Sequence, residues 1–282
     1  MQSKIIIHGG FFSESGTTIE VKVAKQQALT EIATKAYDFL QTHSAVETVV
    51  FAVTLLENDL LFNAGIGSQI QSDGKIRMSA SISDGKTQKF SGVINLEDVE
   101  NPVLVAEKLM SVDDRVLGGE GALQFARAHG HKFFEPRTAQ RIAEYEAKAL
   151  ANGLGTVGCV ALDVNGNIAA STSTGGKGFE MVGRISDSAT VAGNYSNEHC
   201  GISCTGVGED IVSGAVAAKI VTRVTDGFEL QAAFAKTFEE LLPYDGFCGA
   251  IGIDKLGNIF HQDSHPSMVF ASFDGAAMEV FN

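Results

Sequence analysis

Gly155–Thr156 joins a residue with little steric restraint to a hydroxyl at the head of an apolar run, Val157–Val164. That pairing suits one kind of chemistry. A strand edge holds a side chain in a fixed direction, and glycine adopts backbone conformations that other residues resist. Attack of Thr156 Oγ on the Gly155 carbonyl would replace the amide by an ester, and hydrolysis of the ester would leave Thr156 as a new N-terminus. Its α-amino group, titrating at about 7.7–8.0, can take the hydroxyl proton near neutral pH, as a peptide amide cannot. Nucleophile and base then reside in one residue. A Gly–Thr pair alone says little, because threonine commonly opens strands.

Three further segments raise its weight. Thr172–Ser173–Thr174–Gly175–Gly176 lies beyond a turn at Asn165–Gly166–Asn167, so hairpin pairing returns Thr174 to the side of Thr156, where its hydroxyl can orient the nucleophile. Arg184 and Asp187 are three positions apart and can grip the α-carboxylate and α-ammonium of an amino acid through charge-assisted bonds, although such a pair is more often a surface ion pair. Cys204–Thr205–Gly206–Val207–Gly208–Glu209 is a glycine-rich turn entering a helix. It can aim N–H groups and the Thr205 hydroxyl at a developing oxyanion, or simply start the helix.

The surrounding elements are legible from periodicity. Residues 4–7 read as a buried strand ending in a turn at His8–Gly9–Gly10. Helical spacing covers residues 22–42, 45–58, 100–113, 118–130, 208–225 and 230–242. Residues 135–152 are polar and helix-prone, a solvated helix or a linker. The hairpin after Gly155 recurs near the C-terminus: Gly155, Gly158, Asp163, Gly166, Asn167 and Ile168 match Gly246, Gly249, Asp254, Gly257, Asn258 and Ile259. Repeated hairpins with helices between them predict an α+β fold, antiparallel sheets with helices outside.

The 282 residues suffice for one sizeable core, and 44% hydrophobic with 20% charged residues is globular composition. A net charge of −13 disfavours nucleic acid as a partner. No stretch has the length and apolarity to span a membrane, and the start, MQSKIIIHGG, lacks a signal-peptide core. The four cysteines form no framework, so a cytoplasmic location is expected. No G-x-x-x-x-G-K-[ST] or zinc spacing appears among the glycines and seven histidines, which argues against nucleotide-binding and metallohydrolase alternatives.

Read together, GTVGCVALDVNGNIAASTSTGG at 155–176, Gly183–Arg184 with Asp187–Ser188, and Thr205–Gly206 with Gly208–Glu209 resemble the plant-type asparaginases, also called isoaspartyl peptidases. The amino half agrees at His8–Gly9–Gly10, LFNAGIGS around Asn63, Asn101–Pro102–Val103–Leu104 and Gly119–Glu120–Gly121. The resemblance implies one domain over 1–282 with the αββα four-layer sandwich of N-terminal-nucleophile hydrolases. Self-cleavage at Gly155–Thr156 would divide it into residues 1–155 and 156–282. It implies Thr156 as nucleophile, Thr174 as its hydrogen-bond partner, Asn63 near it, and Thr205 with Gly206 at substrate and oxyanion positions. Arg184 would hold the substrate α-carboxylate and Asp187 its α-ammonium. The substrate would be a small molecule, L-asparagine or a β-aspartyl dipeptide. No cofactor is implied for catalysis, but carbonyls of Leu56, Glu57, Asp59, Phe62, Ala64 and Ile66 would face a structural sodium or potassium ion. A homodimer of cleaved pairs completes the expectation.

The sequence departs from the family pattern at Phe11–Phe12, Ser79, Glu180, Val182, Ser186 and Ala189, and its linker before Gly155 is short. These departures motivate an alternative, an uncleaved relative serving as a binding protein.

Overall fold

An apolar strand with both faces covered needs a layer on each side, and the first strand sets that requirement. The computed structural model describes residues 1–12, 18–147 and 155–282. In it β1 (Lys4–Phe11) buries Ile5, Ile6 and Ile7 completely. The strand does not stop at His8 but continues to Phe11 through an irregular register, with Gly10 at φ +90° taking up the bulge. Its two antiparallel neighbours are β11 (Met268–Phe273) and β5 (Val157–Leu162).

The larger sheet is completed by β12 (Met278–Val280) on one side and by β6 (Ile168–Thr174), β2 (Met78–Asp84), β3 (Lys89–Leu96) and β4 (Val116–Gly118) on the other. Its order is β12-β11-β1-β5-β6-β2-β3-β4, and only β4 runs parallel to its neighbour. A second, antiparallel sheet has the order β10-β9-β8-β7, from Ile259–Asp263 (β10), Cys248–Asp254 (β9), Cys200–Gly206 (β8) and Asn194–Ser196 (β7).

Helices cover the outer faces. Against the larger sheet lie α1 (Ile19–Leu40), α2 (Ala45–Glu57) and α3 (Pro102–Leu109), with α4 (Gly119–Ala128) beside β3 and β4. Ser44 starts α2 through a reciprocal capping box with Glu47, and the helix then buries Val49, Val53 and Leu56 completely. Each such side chain contributes roughly 1.5–3 kcal/mol by leaving water. The polar stretch before Gly155 forms α5 (Ala139–Glu146), which buries no residue of its own. It is held by Arg141 Nε donating to Gly67 O at 2.9 Å and by Tyr145 stacked on Phe179. The rest of that stretch, 148–154, lies outside the described residues.

On the smaller sheet lie α7 (Val216–Thr225) and α8 (Leu230–Glu239). The helical pattern of 208–225 divides into α6 (Gly208–Gly214) and α7, because Ala215 sits at φ +48°.

The two sheets face one another across a mixed layer, in which Ile251 and Ile253 of β9 pack into the core of the larger sheet beside glycines and serines. A Cβ on Gly201 of β8 would stand 2.8 Å from Ile168 Cγ2, so glycine there allows the sheets to approach. Serines stitch the seam: Ser196 N donates to Ser83 Oγ at 2.8 Å, and Ser196 Oγ to Ser83 O at 2.7 Å. The repeated hairpin appears once in each sheet. Asp163 and Asp254 each accept two turn N–H groups at 2.9 Å, from Asn165 and Asn167 and from Leu256 and Asn258.

Candidate active site

Pairing of β5 with β6 sets Val157 opposite Ser173, which brings Thr156 beside Thr174 as the hairpin predicts. Thr156 Oγ1 donates to Thr174 Oγ1 at 3.2 Å, and both residues are buried. Thr174 Oγ1 also accepts from Gly176 N–H at 3.2 Å and donates to Gly155 O at 3.3 Å. Asn63 Nδ2 reaches the same Gly155 carbonyl at 2.8 Å and Gly176 O at 2.5 Å, while Gln69 N–H fixes the Asn63 amide from behind at 3.1 Å. The carbonyl carbon nearest the Thr156 hydroxyl therefore has two donors on its oxygen. That is the arrangement an alkoxide attack needs, since negative charge develops on this oxygen.

Behind Thr156 runs a buried chain that the sequence did not reveal. His8 Nδ1 lies 2.9 Å from Thr156 O, and a carbonyl can only accept, so Nδ1 carries the proton. Nε2 is then the acceptor, taking the Ser203 hydroxyl at 2.9 Å, and Ser203 Oγ in turn accepts from Thr172 Oγ1 at 2.6 Å. Complete burial holds the imidazole pKa down at about 3 despite the bond to the Thr156 carbonyl, so His8 is neutral. The cue available in the sequence was a histidine closing an isoleucine run, which is ordinary core usage.

Thr156 and Thr174 lie at one side of a cavity of about 150 Å³. This is small beside the roughly 300–1,000 Å³ of drug-sized sites and suits an amino-acid-sized ligand. Arg184, Asp187 and Gly208 line another side. A Cβ on Gly208 would stand 2.6 Å from Arg184 Nη2 and 2.8 Å from Asp187 Oδ1, so a cation and a carboxylate converge on a bare backbone. Asp187 Oδ2 is buried without a partner among the described residues, as are Ser186 Oγ and Thr205 Oγ1. Burial raises the Asp187 carboxyl to about 7, against the pull of Arg184. Gly206 lines the cavity at φ +135°, a conformation that excludes other residues, whereas Thr205 and Asn63 stand behind its wall.

Arg184 also makes a two-pronged pair with Glu209, Nε to Oε1 and Nη2 to Oε2, both 3.1 Å. Lys177 Nζ adds a third donor to Oε1 at 3.1 Å. Partial burial opposes ionisation of Glu209, but these donors outweigh it and hold the carboxyl at about 2. Sequence reasoning placed Glu209 only within a helix-start motif and left Lys177 unmentioned. Among the departures, Glu180 is buried, with Oε1 3.3 Å from Gln71 Nε2 and Oε2 unpartnered.

The loop after α2 turns its carbonyls inward. A Cβ on Gly67 would meet Phe62 O at 1.9 Å and Asp59 O at 3.4 Å, and one on Gly65 would meet Glu57 O at 2.2 Å. Leu56 O, Asp59 O and Ala64 O already accept N–H groups, from Asp59, Phe62 and Gly67.

The site thus sets a hydroxyl pair beside a small cavity that is also lined by a guanidinium and a carboxyl group. The sequence model of a family described as asparaginase matches residues 1–153 and 133–281. The chain belongs to the asparaginase family. It is 44% identical to an isoaspartyl peptidase/L-asparaginase of Synechocystis sp., with 99% of this chain and 90% of that relative covered. It is 35% identical to a plant-type L-asparaginase of Pyrococcus furiosus over 95% of each chain. An Escherichia coli isoaspartyl peptidase is 36% identical, with 90% of this chain and 88% of that one covered. In this asparaginase-family chain no described helix is long and apolar enough to cross a membrane.

Proposed function

We propose that the chain cuts its own Gly155–Thr156 bond and that the freed Thr156 hydrolyses the β-amide of L-asparagine and of β-aspartyl dipeptides. One observation carries this reading. The Thr156 hydroxyl is braced by Thr174 at the side of a cavity that is also lined by Arg184 and Asp187, whose Nη2 and Oδ1 converge on Gly208.

In maturation, Thr156 Oγ adds to the Gly155 carbonyl carbon. The oxygen takes the developing charge against Asn63 Nδ2 and Thr174 Oγ1, the proton given up by the hydroxyl passes to the peptide nitrogen, and that nitrogen leaves as the amine of Thr156. Water then hydrolyses the Gly155 ester. In turnover the α-amine accepts the hydroxyl proton and Thr156 Oγ attacks the substrate β-carbonyl; the proton passes to the leaving nitrogen, ammonia or an amino acid departs, and water hydrolyses the remaining ester to release aspartate and free Thr156. Arg184 holds the α-carboxylate and Asp187 the α-ammonium, through the Oδ1 that faces Gly208 of the cavity lining. Thr205 and Gly206 border the oxyanion position.

We assign the helix–sheet–sheet–helix layers to the N-terminal-nucleophile hydrolase sandwich, because the nucleophile opens a central strand of one sheet and faces the other. The inward carbonyls of Glu57, Asp59 and Phe62 around Gly65 and Gly67 fit a hard monovalent cation such as sodium or potassium, whose charge would stiffen the loop that carries Asn63. Four buried free cysteines agree with a cytoplasmic setting. Exposed Met181, Val182 and Ile185 on one short stretch agree with a homodimer.

The test is a denaturing gel beside two assays. After incubation at neutral pH the wild-type chain resolves into two pieces, and it releases ammonia from asparagine and aspartate from β-Asp-Leu. Thr156→Ala stays intact and loses both activities; persistence of either means another nucleophile.

A further inference from the structure

Lys177 occupies a place that the chemistry so far leaves unused. Its backbone follows Gly176, whose N–H and carbonyl contact Thr174 and Asn63 on the nucleophile side of the cavity. Its ammonium reaches Glu209, the carboxylate that pairs with Arg184, on the substrate-charge side. The lysine side chain thus spans the cavity from the scissile-bond side toward the Arg184 side, and Lys177 is one of the lining residues.

Resting on the proposed amidohydrolase reading, we propose that Lys177 is a specificity residue that pairs with the carboxylate of the departing amino acid in β-aspartyl dipeptides. In such a substrate the leaving nitrogen is bonded to a carbon that carries its own carboxylate. A second anion therefore sits within a few bonds of the reacting carbonyl. Asparagine releases ammonia and offers nothing for this lysine to hold.

The charges support the assignment. Arg184 and Lys177 share one carboxylate, Glu209, and Asp187 is the other acid of the lining, so once a zwitterion engages Arg184 and Asp187 the cation left for a further anion is Lys177. Asparagine brings balanced charges to Arg184 and Asp187, whereas a dipeptide brings one further negative charge. The protein carries −13 overall, and a local ammonium offsets its repulsion of that charge. The Lys177–Glu209 contact is half exposed, 44% and 50% for the two side chains, so exchanging Glu209 for a substrate carboxylate costs little.

The experiment compares kcat/KM for β-Asp-Leu, its C-terminal amide and L-asparagine on the mature protein. Wild type favours the free acid over the amide by about fivefold, the scale of a partly exposed ion pair. In Lys177→Met that ratio drops to near one, chiefly through KM for the free acid, while Lys177→Arg keeps it. Added salt lowers the wild-type ratio and leaves that of Lys177→Met flat. A wild-type ratio near one, or the same ratio in Lys177→Met, with asparagine still hydrolysed, overturns the assignment and leaves the broader reading standing. A wild-type protein inert to all three substrates overturns both.

Discussion

At the residue scale, the site works through groups whose protonation is set by burial. Asp187 titrates at about 7 in the substrate-free protein, because its desolvation outweighs the help of Arg184. A substrate ammonium against the Asp187 carboxylate favours the ionised form, so bound substrate returns that pKa toward the ordinary carboxylate range. The acid limb of kcat/KM reports the free enzyme and that of kcat the complex. Below neutral pH, kcat/KM should therefore fall with two groups, Asp187 and the Thr156 amine, and kcat with the amine alone. A pH profile with limiting slopes of two and one on logarithmic axes checks this; equal slopes would mean that Asp187 does not meet the ammonium. Thr156, Thr174, Arg184 and Asp187 were legible because hairpin register and charge chemistry are local properties of the chain. Lys177, Glu209 and His8 were not, because their partners come from 32, 25 and 148–195 positions away.

At the element scale, the β5–β6 hairpin is stiffened from beneath by β1. His8 joins the Thr156 carbonyl to Ser203 of β8, so one imidazole links the two sheets directly behind the nucleophile. Replacing it with leucine keeps apolar bulk but strands a buried carbonyl, at a cost of about 1–3 kcal/mol. The pH dependence has a definite sign. The unfolded histidine takes a proton near 6.5, while the folded one resists until about 3, so the unfolded state binds more protons between those values and acid erodes stability there. His8→Leu removes this contribution. The gap in urea midpoint between wild type and variant should thus narrow from pH 7 to pH 5; an unchanged gap would show that the buried ring is not held neutral. The sequence showed the strand and hid its last four residues, since His8–Gly9–Gly10 reads as a turn by composition. The bulge at Gly10 lets pairing resume at Phe11, a tertiary effect. Likewise the helical pattern of 208–225 breaks at Ala215, where the single cue in the sequence is Gly214 just before it.

At the scale of the whole molecule, the two segments flanking Gly155–Thr156 are interleaved within one sheet. Strand β1, from the first, lies between β11 and β5 of the second, and β6 of the second lies against β2 of the first. Alternating hairpins foretold antiparallel sheets, but the order of strands depends on long-range pairing that periodicity does not encode. The interleaving makes refolding depend on the state of one bond. Uncut Thr156→Ala should regain its far-UV dichroism after dilution from urea at a rate independent of protein concentration. The cut wild type should refold as a bimolecular process, faster when concentrated and incompletely when dilute. Concentration-independent recovery of the cut protein would show that one segment folds without the other.

That bond is in this sense a temporary tether. While intact it confines both partners to a single polymer, so their strands meet at an effective concentration no pair of free peptides could match. Severed as proposed, the assembly would keep a shape that its two parts could regain only by meeting again, so the weave of the sheet calls for folding before scission.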